Sequence, residues 1–209
     1  MKWKRTDMKR IITVLLFTAV FFTLQSNIMD RSAIYMEGIN EAVSIPSPEG
    51  FAHEVFHPGI AAGIEYPFNT GRWLFFQKLE IGYYYHKYLH NAYFISTQTG
   101  LRYTCSPGIF ADISGGLGYL HEFYTDALYE IDDNGQYTRI IDWGRPNIIT
   151  VMCFTLGYDF RKKDIMPVRL YAGTSYFMEY PYMPEDGIPM LPHTSIRLGM
   201  SFTFNGGDR

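Results

Sequence analysis

Charge is scarce in this chain. Asp, Glu, Lys and Arg make up 19% of its 209 residues, against about 25% in an average protein, which excludes a disordered or coiled-coil chain. No basic block is present and the formal net charge is −3, so nothing argues for nucleic-acid binding. Long apolar runs are missing beyond the N-terminus, and mean hydropathy is −0.10; a multi-span helical membrane protein is excluded. Cysteine is limited to Cys105 and Cys153, which fall at a turn and inside a strand two strands away, so they are read as unpaired. No motif requires a cofactor. What the chain does hold is aromatic residues, at 17%.

The N-terminus reads as an address. Lys2, Lys4, Arg5, Lys9 and Arg10 precede an apolar run from Ile11 to Leu24, too short to cross ~30 Å of hydrocarbon as a helix. A basic region followed by a short apolar one is the pattern of a secretory signal, here residues 1–26, with 27–209 as the exported domain. An uncleaved anchor is the alternative. Of 18 basic and 21 acidic residues, five basic and one acidic (Asp7) precede Gln25, leaving 13 against 20 and a net charge of −7.

From His57 onward the chain alternates with period two, which predicts strands. Leu79, Ile81, Tyr83 and Tyr85 share one parity against Lys78, Glu80, Gly82, Tyr84 and His86; Phe154, Leu156 and Tyr158 oppose Cys153, Gly157 and Asp159; Leu198, Met200 and Phe202 oppose Arg197, Gly199 and Ser201. A water-soluble sandwich also alternates. Three features favour a membrane barrel. The polar parity is Gly, Ser and Thr with single charges of both signs. Tyrosines and phenylalanines tip the apolar parity at strand ends. The strands are long for a soluble sheet. Nine charges share the polar parity: Glu65, Lys78, Glu80, Arg102, Asp112, Asp159, Arg169, Glu179 and Arg197. Facing lipid, each basic one near the midplane costs ~2–4 kcal/mol; facing inward they pair across a narrow lumen.

Breakers at Asn69–Arg72, Cys105–Gly108 and Arg161–Asp164 mark tight turns, expected on the periplasmic side. Tyr88–Asn91 and two longer polar stretches, Thr125–Asn147 and Met183–Pro192, are expected outside. Seven strands are clear, and an even count requires Ala33–Val43 as the first. Eight strands leave an interior filled by side chains rather than a wide pore. The expected fold is all-β: one antiparallel up-and-down transmembrane barrel, monomeric.

The last strand, Arg197-Leu-Gly199-Met-Ser-Phe202-Thr-Phe204, resembles the C-terminal assembly signal of bacterial outer-membrane barrels, although Asn205–Arg209 follows it. Residues from about 30 to 204 resemble a small eight-stranded outer-membrane barrel protein. The stretches GYYYHKYLHNAYF, TGLRY and GGLGYLHEF are similar to barrels of Bacteroidota-like bacteria and imply no particular activity. The resemblance implies an outer-membrane location, lipid contact and the barrel-assembly machinery as partners.

Some barrels of this size are enzymes. Lipid A deacylases use a His and Ser two residues apart with an acidic orienter, and the nearest pattern here is His193 and Ser195 with Glu179 on the neighbouring strand. That register faces the lumen rather than lipid, so no catalytic site is assigned. His86, His90, His121 and Glu122 lie near adjacent strand ends, but His121 has the opposite parity to His86, and no metal site is assigned. His53 and His57 sit beside a Pro-rich loop, where helical spacing does not apply. Asp126, Glu130, Asp132 and Asp133 lack EF-hand spacing. Tyr83, Tyr84, Tyr85, Tyr88, Tyr119, Phe123 and Tyr124 are read as a headgroup girdle, as are Tyr176, Tyr180 and Tyr182. The chain is thus expected to be a structural or surface-interaction barrel with an ion-paired lumen, meeting a ligand or partner through 125–147. The alternatives are a lipid-acting hydrolase or acyltransferase, and a narrow pore.

Overall fold

A computed structural model describes residues 32–44, 56–86, 90–132, 135–163, 166–182, 187 and 189–203. The expected signal segment, His53, Tyr88, Asp133 and Phe204 lie outside the described residues. Among the described residues ten strands form: β1 (Ala33–Val43), β2 (Pro58–Pro67), β3 (Trp73–Tyr85), β4 (His90–Thr104), β5 (Ile109–Tyr124), β6 (Leu128–Ile131), β7 (Tyr137–Ile140), β8 (Arg145–Asp159), β9 (Val168–Tyr180) and β10 (Leu191–Thr203). Eight of them close a barrel in the order β1-β10-β9-β8-β5-β4-β3-β2, and β6-β7 stand apart as a hairpin. Every neighbouring pair is antiparallel, including the closing pair, where Ala33 faces Thr203. Ala33–Val43 is therefore the first strand. Closure leaves no open edge within the barrel, the condition for a sheet in lipid.

The barrel strands run from 10 residues in β2 to 16 in β5, enough for a tilted crossing that needs ~9–11. Buried residues alternate with exposed or half-buried ones along β4. The outward parity carries the exposed apolar side chains, among them Ile64, Leu79, Ile81, Ile113, Phe154, Leu156 and Leu198. An apolar girdle around a whole molecule exceeds any patch a soluble monomer exposes, so this surface belongs in hydrocarbon.

Both barrel termini and the tight turns share one end, the turn end. At the other, the loop end, lie the end of β1 and start of β2, the end of β3 and start of β4, the end of β5 and start of β8, and the end of β9 and start of β10. Two details differ from the sequence expectation. Arg161, Lys162 and Lys163 of the expected turn lie in a 3-10 turn, Phe160–Lys163. The stretch Thr125–Asn147 is no irregular loop: β5 extends to Tyr124, the hairpin occupies its middle, and β8 starts at Arg145. Asp142 fastens the hairpin base, accepting from the Tyr124 and Gly144 amides at 2.7 and 2.8 Å. Asp132 accepts from the Gln136 amide at 2.8 Å and so shapes the hairpin turn.

The interior is layered. Between ionic layers lies an apolar one containing Ile39, Phe94, Leu120, Ile149, Val151 and Phe177. Aromatic rings of the interior lie over glycines of the next strand. A Cβ on Gly82 would sit 2.3 Å from Phe94 Cζ, and one on Gly100 2.2 Å from Phe76 Cζ. Only glycine lets these rings lie flat against the wall. The lumen is thus not purely ion-paired, because an apolar layer separates its charged groups.

Candidate functional site

Toward the turn end, Arg102 is gripped from both sides. Its Nε and a terminal nitrogen donate to Asp112 at 2.7 Å each, and both terminal nitrogens donate to Glu65 at 2.7 Å. Arg169 joins Glu65 at 2.9 Å, and the Arg102 guanidinium lies 5.0 and 4.9 Å from the Phe76 and Phe110 ring centres. In the middle, Arg197 meets Glu37 at 2.8 Å and Glu80 at 2.9 Å, and donates from Nε to Ser175 at 2.9 Å. Tyr35 and Tyr171 donate to Glu80 and Glu37 at 3.1 and 3.0 Å.

Not every residue of the nine meets another of them. Asp159 pairs with Arg161 at 2.5 Å. Register sets Lys78 opposite Glu65, but its ammonium lies over the rings of Tyr35, Phe76 and Tyr171 at 5.2–5.9 Å, a cation–π cage. Glu179 belongs to a separate group at the loop end.

That group gathers three carboxylates and four imidazoles. His193 touches Glu41 at 2.7 Å through Nδ1 and Glu179 at 3.3 Å through Nε2. Asn147 donates to Glu179 at 2.7 Å and to Glu122 at 3.1 Å. Glu122 also meets His90 at 2.8 Å and Arg145 at 2.9 Å. Beside this chain, His57 and His86 stack with centroids 3.6 Å apart. All of Glu41, Glu122, Glu179, His57, His86, His90 and His193 are buried. Just past β3, burial pushes the His86 imidazole below its ordinary range despite the nearby Glu41 carboxylate.

The pair His193–Ser195 does not form a nucleophile. Both ring nitrogens of His193 are taken up by carboxylates, whereas Ser195 Oγ bonds Ser175 Oγ at 2.6 Å. The register opposes Ser195 to Ser175, so the two hydroxyls meet first. Glu179 does contact His193. Of the four residues weighed for a metal, His90 and Glu122 meet, and His121 lies on the outside, its ring bonded to Tyr119 Oη at 2.7 Å and to the Trp143 carbonyl at 3.1 Å.

Tyr84 is a correction to the girdle: it is 1% exposed inside the lumen, with its ring 6.1 Å from Phe177. Residues missed in the sequence are Glu37 and Glu41. Both lie on the inward parity of β1, and that shared parity was the available signal. Of the terminal pattern, Arg197 and the glycine Gly199 look inward, while Phe202 is 41% exposed on the outer face. Both cysteines are free thiols, Cys105 exposed at the turn end and Cys153 buried.

The chain is similar in structure to Neisserial surface protein A over 83% of its length and 97% of that protein's, at 13% identity and a TM-score of 0.50. Ail, the attachment invasion locus protein of Yersinia pestis, matches over 82% and 96% at 13% identity and a TM-score of 0.49. The N-terminal β-barrel domain of Pseudomonas aeruginosa OprF matches over 81% and 97% at 14% identity and a TM-score of 0.42. No protein-family model and no curated protein sequence matches. The likeness to Neisserial surface protein A supports a fold of the outer-membrane type, an eight-stranded closed antiparallel barrel.

Proposed function

We propose that this chain is a surface-presenting protein of a bacterial outer membrane, whose sealed barrel is a rigid mount for the β6–β7 hairpin. The loop end faces outward and the turn end the periplasm. One observation carries the reading. The hairpin stands clear of the barrel with both outer edges unpaired among the described residues, and it exposes Tyr129, Ile131 and Tyr137 together with Ile141 and Trp143 at its base. Exposed aromatic groups beside free strand edges suit contact with a partner by strand addition. The barrel contributes no passage: the cavity lined by Tyr84, Phe94, Leu120 and Phe177 has a volume of about 10 Å³, room for one water. A monomer delivered by the barrel-assembly machinery through its last strand belongs to the same reading. So does a Bacteroidota-like host, supported by the stretch from Gly82 to Phe94.

Thiol labelling tests the orientation. On intact cells, an impermeant maleimide should label T138C on the hairpin, leave Cys105 untouched until the outer membrane is permeabilised, and leave buried Cys153 unlabelled in both. Labelling of Cys105 but not T138C on intact cells would reverse the assignment. Steady single-channel conductance in a planar bilayer would overturn the sealed lumen.

A further inference from the structure

We propose that Glu41, His57 and His86 form a binding site for a divalent transition-metal ion of zinc type at the loop end of the lumen. Each offers one ligand atom, and these atoms all lie within 4.8 Å of one another. The residues are 0%, 6% and 8% exposed. Three atoms at this place, Glu41 Oε2, His57 Nε2 and His86 Nδ1, have no hydrogen-bond partner among the described residues. Buried polar atoms are normally paired, and a shared cation satisfies all three at once.

The surroundings already set two of the three ligands. His57 Nδ1 donates to the Glu41 carbonyl at 3.0 Å, which fixes the tautomer and leaves the Nε2 lone pair free, the usual arrangement of a metal-bound histidine. His193 holds Glu41 Oε1 at 2.7 Å, leaving Oε2 to point elsewhere. The three backbones are tied as well: the Glu41 amide donates to the His57 carbonyl at 3.0 Å, the His57 amide to Asn40 Oδ1 at 2.9 Å, and the His86 amide to the His90 carbonyl at 3.0 Å. Two imidazoles and one carboxylate suit zinc and its first-row neighbours and leave a coordination position for water or an external ligand. The wider cluster sets the carboxylates of Glu41, Glu122 and Glu179 against Arg145 and His193, three acidic groups to two basic ones. An imidazole lone pair lies in the ring plane, so binding turns at least one ring out of the 22° stack.

The test uses the barrel folded in detergent without a histidine tag and stripped with chelator. It is titrated with Zn²⁺ by calorimetry and with Co²⁺ by visible absorption. One equivalent should bind, with Co²⁺ giving the intense bands of low coordination number. H57Q, H86Q and E41Q should each weaken binding by more than about 100-fold, and H193Q, acting through Glu41, by about 10–100-fold. H121Q on the outer face should bind as the parent does. Heat-modifiable gel migration verifies that each variant is folded; if H57Q does not fold, H86Q, whose residue lies outside every strand, decides. Absence of saturable binding, or titrations of folded H86Q and E41Q that match the parent, overturns the proposal. Neither result bears on the orientation of the hairpin.

Discussion

Replacing Arg102 by methionine tests whether the interior charges hold the barrel as a set. The guanidinium is 4% exposed and makes four hydrogen bonds of 2.7 Å to two carboxylates. In R102M, Glu65 keeps Arg169 at 2.9 Å, but no other cation within ion-pair distance of Asp112 is found among the described residues. Removing one member of a buried ion pair costs ~3–5 kcal/mol because the remaining charge stays desolvated. With an unfolding slope of about 2 kcal/mol per M urea, the midpoint should fall by about 1.5–2.5 M. Equilibrium urea titration in lipid vesicles, read by tryptophan fluorescence and gel migration, measures it. The double variant R102M/D112N removes the stranded charge and should recover part of the loss. A midpoint within 0.5 M of the parent for R102M (about 1 kcal/mol at that slope), or further loss in the double variant, would refute the reasoning.

Two further substitutions probe the wall. L79R places a cation on the lipid face near the middle of β3 and should cost ~2–4 kcal/mol in the same titration, whereas T138R on the hairpin should leave the midpoint unchanged. G82A drives a methyl into the Phe94 ring, 2.3 Å away at its nearest atom, and should cost ~1–3 kcal/mol. Trimming the ring in G82A/F94L should cost less than the two single changes added together, because the groups are in contact; strict additivity would deny the interlock.

The pleat makes facing legible in sequence. Successive side chains point to opposite sides, so parity alone separates Leu79 and Leu198 from Lys78 and Arg197, and breakers separate the strands. Parity does not show what an inward side chain touches. Lys78 shares parity with Glu65 and Glu80, yet ring faces receive its ammonium because β1 and β9 bring Tyr35 and Tyr171 across the lumen. Tyr84 sits among tyrosines that read as one girdle, and only its place in the pleat assigns it to the interior. Strand β1 alternates weakly, with Gly38 and Asn40 on its outer side, so Glu37 and Glu41 gave little sign of their roles.

Composition and period two determined a closed eight-stranded barrel, its apolar exterior and the parity of its charges, because lipid penalises any outward charge and any open edge. Closure decided the rest. His193 lies 152 residues from Glu41 in sequence and 2.7 Å from it in space, a distance set by the stagger with which β10 meets β1. The register of β10 against β9 gives Ser195 to Ser175, and the pairing of β1 with β2 and of β2 with β3 gathers Glu41 beside His57 and His86, while the hairpin forms a sheet of its own.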